Sequence, residues 1–170
     1  MNQIKNRIKE SVLESFEISS VMPSEEIVGI DIKDQLWQGL VLKEKQYREW
    51  IKTHSWEDYQ NKGVFIHCSS DAIVPSWAYL LILRSILPYC SECILGTKKE
   101  LLRKIIKLKI QESDLSKYKD KRILLKGCSD AVENDFAFFE ITKALIPICR
   151  SIMFGEACSN VPIFKKKRGS

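Results

Sequence analysis

One part of this chain repeats another. Residues 56–96 slide onto residues 115–155, a shift of 59 positions, without a gap. The alignment pairs Tyr59 with Tyr118, Lys62 with Lys121, Ser70 with Ser129, Asp71 with Asp130 and Ala72 with Ala131. It also pairs Ala78 with Ala137, Ile82 with Ile141, Pro88 with Pro147, Cys90 with Cys149 and Gly96 with Gly155, and chance rarely keeps Pro, Cys and Gly in step. Each copy reads as a short apolar strand (64–66 or 123–125), a polar turn with Ser-Asp, an apolar helix, a proline, and a second short strand ending in glycine. Strand, helix, strand over so few residues is a βαβ unit with parallel strands and a right-handed crossover. Between the copies, residues 98–112 place Leu101, Ile105 and Leu108 at helical spacing and read as a third crossover helix. The expected fold is α/β: a small, mostly parallel sheet of four strands, built from two duplicated βαβ units (56–96 and 115–155), with helices on both faces.

Pro75 fits the opening turn of the first repeated helix, and Asn134 or Asp135 can cap the second. Both helices carry large apolar residues nearly all round, which implies that they are clamped against a sheet. Upstream, residues 27–32 read as a strand and residues 43–53 as a helix with Tyr47, Trp50 and Ile51 inward. Val12, Leu13 and Phe16 give the start of the chain an apolar stripe, so residues 1–24 are expected to be an N-terminal helical extension on a single domain spanning 1–170.

The chain has 27 Lys and Arg against 22 Asp and Glu. Without Lys165, Lys166, Lys167 and Arg168 the balance is 23 to 22, so residues 165–170 read as a solvated basic tail on a nearly neutral body. A neutral body lacks the broad phosphate-binding face that nucleic acid requires. The first residues have no unbroken apolar core, and the longest apolar run, residues 77–83, is far short of the ~20 residues that span a bilayer. The expectation is a cytoplasmic protein without nucleic-acid or membrane partners.

A chain of 170 residues buries a core without staples, and a reducing compartment keeps its 6 cysteines as thiols. In a parallel sheet, loops that follow strands share the carboxyl edge and loops that lead into them share the other. Cys68, Cys128 and Cys158 follow strands. Cys90, Cys93 and Cys149 precede or begin them. Cys90-Ser-Glu-Cys93 follows a helix rather than opening one, so no helix dipole lowers its thiol pKa, and these three read as packing residues. Polar, small residues surround the first trio. These thiols either lie on their loops without a ligand or bind zinc or three corners of an iron–sulfur cluster, with Asp71, Asp130 or Glu156 as fourth ligand or supporting shell.

Leu36-Trp-Gln-Gly-Leu-Val-Leu-Lys-Glu, Cys68-Ser-Ser-Asp-Ala-Ile-Val-Pro-Ser-Trp-Ala-Tyr, Lys126-Gly-Cys-Ser-Asp and Ser151-Ile-Met-Phe-Gly-Glu-Ala-Cys-Ser-Asn-Val-Pro resemble the bacterial family called domain of unknown function 2480. The likeness covers most of the chain after about Val28. It implies cysteine at the positions of Cys68, Cys128 and Cys158 but not of Cys90, Cys93 and Cys149. It also implies a genomic setting beside sulfur mobilisation, so the metal reading gains weight, and iron–sulfur assembly proteins become the expected partners.

Two other classes compete. A cysteine-dependent sulfur or acyl transferase needs a base, yet the chain has only His54 and His67, and His67 adjoins Cys68 along a strand, where neighbours point to opposite faces. No arginine follows Cys68, Cys128 or Cys158 at the short distance a phosphatase-like or rhodanese-like loop uses. Both histidines read as ordinary strand and loop residues. A non-catalytic module could instead hold a small anion on the Ser-Asp turns at two helix N-termini, although no Gly-rich phosphate loop is present.

Overall fold

A computed structural model describes residues 13–127, 132–156 and 158–167. In chain order the strands are β1 (Leu13–Glu17), β2 (Ile27–Asp31), β3 (Leu36–Trp37), β4 (Val41–Leu42), β5 (Gly63–His67), β6 (Glu92–Leu95), β7 (Arg122–Lys126), β8 (Ser151–Glu156) and β9 (Ser159–Lys165). The helices are α1 (Glu44–Thr53), α2 (Ser76–Ile86), α3 (Lys98–Glu112) and α4 (Asn134–Leu145). The chain divides into two compact units, Pro23–Ile105 and Met1–Met22 with Ile106–Ser170.

The unit Pro23–Ile105 holds a parallel sheet in the order β2-β5-β6 and a hairpin of β3 and β4. Val64 and Ile66 alternate on the core face of β5, and both are buried. Ala78, Ile82 and Ile86, four apart along α2, present a stripe with no exposed surface. Tyr47 and Ile51 are the buried residues of α1 and join that core, while Arg48 pairs with Glu44 one turn away at 2.8 Å on the solvent side. The Tyr47 hydroxyl donates to the Ala78 carbonyl at 2.9 Å, so the ring is buried without stranding its polar end.

The other unit also holds a mostly parallel sheet. β1, β7 and β8 run parallel, and β9 returns antiparallel along β8. Ala137, Ile141 and Leu145 on α4 form the stripe that Ala78, Ile82 and Ile86 form on α2, at the same shift of 59. Their partners include Ile106 and Ile110 of α3 and Ile123, Leu125 and Ile152 of the sheet. Exposed apolar residues keep step as well: Ile73, Leu80, Leu87 and Leu95 match Val132, Phe139, Ile146 and Phe154. Pro162 sits where the β8–β9 register slips by one residue, which suits a residue that cannot donate to a ladder.

The structure corrects three expectations. The parallel strands do not form one sheet. Among the described residues β6 pairs only with β5, and β7 lies between β1 and β8, so α3 is not a crossover between neighbouring strands. The start of the chain is not the expected helical extension: residues 13–17 are strand β1, from which Phe16 reaches the core in a parallel pairing with Leu125, and Ile18–Val21 form a single turn of 3-10 helix. The spacing of Leu13 and Phe16 mimics a helix, but the five residues gain more from the open edge of β7 than from a lone helical turn, whose nucleation is costly. Residues 1–12 lie outside the described residues. Finally, β9 runs to Lys165, so the basic run begins inside the sheet.

Candidate functional site

The carboxyl edge of the β2-β5-β6 sheet is built around Asp31, the last residue of β2, whose register partner is His67, the last of β5. Its carboxylate accepts the Ser69 amide at 3.0 Å, the Ser69 hydroxyl at 2.6 Å and the Lys33 amide at 3.0 Å. Burial alone would push this carboxyl up, but the Ser69 and Lys33 hydrogen bonds and the nearby His67 ring hold it well below the usual carboxylate range. The loop that carries Cys68 is thus anchored by a fixed negative charge. The Ser70 hydroxyl anchors its other side, donating to the Gly39 carbonyl at 2.9 Å in the hairpin turn. Gln38 and Gly39 both take left-handed backbone there. Trp37, Leu40 and Val41 of the hairpin stand exposed, with the Lys43 ammonium 3.9 Å from the Trp37 ring centroid.

Cys68 is half-buried at this edge. Its thiol donates to the Ser70 carbonyl at 3.6 Å, and its side chain packs against the core beside α2. Asp71 is exposed on the same loop. It does not cap α2, because 73–75 lead in extended, the residue before Pro75 is kept out of helical geometry, and the helix opens only at Ser76. The first Ser-Asp turn is therefore not at a helix N-terminus, which removes that half of the anion-cradle expectation. The second, with Asp130, lies outside the described residues.

At the carboxyl edge of the other sheet, β7 ends at Lys126 and β8 at Glu156, and the two side chains approach to 3.9 Å. Gly127 leads out of β7 toward Cys128. A Cβ there would stand 2.1 Å from the Ile18 Cγ2, so only glycine lets the chain pass. Gly155 has φ +118° and would bring a Cβ within 2.7 Å of the Ser159 carbonyl, which fixes the turn holding Cys158. Cys158 is exposed in the β8–β9 turn. Cys128 itself lies outside the described residues. Among the described residues no three His, Cys, Asp or Glu side chains gather as a metal site.

The other thiols behave differently. Burial pushes the Cys93 thiol up to about 12, and it raises Cys90 and Cys149 as well. Cys149 has 1% of its surface exposed. Thiols so protonated are poor ligands and poor nucleophiles. The histidines are occupied too. His54 stacks among Trp50, Trp56 and Tyr59, with its Nε2 3.1 Å from the Tyr59 hydroxyl, and burial lowers its pKa. His67 stacks on Phe65 across the pleat, ring centroids 5.3 Å apart. Asp31 is the site residue that sequence reasoning overlooked. Its signal was a lone carboxylate closing the apolar run 27–30.

Fold and site together define a mixed α/β protein with cysteines on the loops that follow its parallel strands. The chain belongs to the family described as Protein of unknown function (DUF2480), which it matches over residues 2–166. No curated protein and no solved structure matches it. No helix among the described residues is long and apolar enough to cross a membrane.

Proposed function

We propose that this chain is a metal-thiolate protein acting as an accessory in iron–sulfur cluster assembly, with the sulfur ligands for zinc or a cluster drawn from Cys68, Cys128 and Cys158. The observation that carries the reading is the division of the thiols. Cys90, Cys93 and Cys149 are held protonated by burial, whereas Cys68 and Cys158 stand on loops after parallel strands, and Cys128 follows the end of β7 by two residues. A ligand must be a reachable thiolate, a demand that burial works against at Cys90, Cys93 and Cys149. Glu156, already facing Lys126, serves better as a supporting charge than as the fourth ligand. Elemental analysis and a visible spectrum after anaerobic purification test the reading. Iron with inorganic sulfide and a broad visible band identify a cluster, zinc with a blank spectrum identifies a zinc site, and neither metal refutes the proposal.

A further inference from the structure

The amino edge of the four-stranded sheet presents a different chemistry. Arg122 opens β7, Ser151 opens β8 and Lys165 closes β9, and the register places Arg122 beside Ser151 and Ser151 beside Lys165. Partners on adjacent strands point to the same face about 4.8 Å apart, so an arginine, a hydroxyl and a lysine form one row. Arg150 and Lys166 flank the row. Their main chains are tied, since the Lys166 amide donates to the Arg150 carbonyl at 2.9 Å and the Arg150 amide to the Lys121 carbonyl at 2.7 Å.

These four cations, with Met153, Pro162 and Phe164, line a cavity of about 430 Å³. No carboxylate is among its described lining residues. Neighbouring cations of the same sheet are neutralised, Lys121 by Glu14 and Lys126 by Glu156. Among the described residues the side chains of Arg122, Arg150, Lys165 and Lys166 have no such ion pair. Four like charges around one concavity repel one another, and an anion held among them relieves that repulsion. The cavity falls in the size range of small-molecule sites.

We propose that this cavity binds a small molecule carrying one or two phosphoryl groups. Arg122 and Arg150 supply planar, two-pronged donors that match phosphoryl oxygens, Lys165 and Lys166 supply point charges, and the Ser151 hydroxyl donates from the middle of the row. Met153 and Pro162 offer an apolar floor for the body of a phosphate ester. The site rests on none of the cysteines.

Isothermal titration calorimetry of the full chain with inorganic pyrophosphate, and separately with ADP, tests the assignment at about 0.15 M salt, where loose surface attraction is screened. The expected result is saturable 1:1 binding of at least one probe, weakened about ten-fold or more in the Arg122→Gln/Arg150→Gln variant. Tighter binding of ADP assigns an ester, and tighter binding of pyrophosphate assigns the inorganic ion. Lys119→Gln, an exposed lysine outside the cavity lining, should bind as the parent does. Circular dichroism confirms that each variant is folded. Absence of saturable binding by either probe, or an equal loss in Lys119→Gln, overturns the proposal.

Discussion

Replacing Asp31 by asparagine removes one charge and almost no volume, so it tests whether the carboxylate anchors the Cys68 loop. The side chain is 16% exposed and accepts three hydrogen bonds, two from Ser69 and one from Lys33. Bonds to an ionised acceptor contribute about 1.5–3 kcal/mol each and neutral ones about 1, and the Asn amide group must also turn the Ser69 hydroxyl into an acceptor. With a discount for partial exposure, the variant should lose about 2 kcal/mol. All 4 tryptophans, Trp37, Trp50, Trp56 and Trp77, lie in Pro23–Ile105, so tryptophan fluorescence in urea follows this unit. At about 1 kcal/mol per molar urea the midpoint should fall by roughly 2 M at pH 7. The pH dependence supplies the sign. A carboxyl held low in the folded state stabilises fully above its unfolded value of about 3.9, and that stability is lost as pH falls through the folded value. The gap between parent and variant should therefore be narrower at pH 3 than at pH 7. An equal gap at both, or no gap at pH 7, would show that the charge does not anchor the loop.

The lowered pKa of His54 keeps it neutral when folded, so stability is full above the unfolded value of about 6.5 and is lost as pH falls below it. His54→Phe should flatten that decline between pH 7.5 and 5.5 on the about-unit scale of one proton, as read from urea midpoints, and parallel declines would exclude His54 as the cause. Gly127→Ala drives a Cβ into Ile18 and should cost about 1–3 kcal/mol by thermal unfolding. Gly39→Ala meets open space and bears only the backbone cost of its positive φ, about 1 kcal/mol. The reverse order would mean that the packing around Gly127 is looser than its contacts imply.

Where local pattern alone decides structure, the sequence was readable. Residues 98–112 are helical as their spacing requires, and the stripes of α2 and α4 follow directly from Ala78, Ile82, Ala137 and Ile141. Which strands share a sheet is a matter of long-range pairing, and nothing in residues 13–17 announces that they will lie beside β7. β9 was hidden because Pro162 and the lysine run look unlike a strand, yet an edge strand with a register slip tolerates both. The same lysines, read as a tail, gave no hint that the register would set Lys165 in a row with Arg122. That Cys68 follows β5 and Cys158 follows β8 was legible from strand order, but the single carboxyl edge expected to hold both is not found, because β5 and β8 belong to different sheets, and the anchoring role of Asp31 depended on a contact 38 residues away.

Metal bound per chain in Cys128→Ser and Cys149→Ser, purified side by side without oxygen, tests the central claim most directly. Both changes remove one sulfur from the same unit, but Cys149 is buried with its thiol held protonated. The metal-thiolate account predicts that Cys128→Ser loses its metal and Cys149→Ser keeps the parent's content. Metal retained in Cys128→Ser, or lost equally from both, would contradict it.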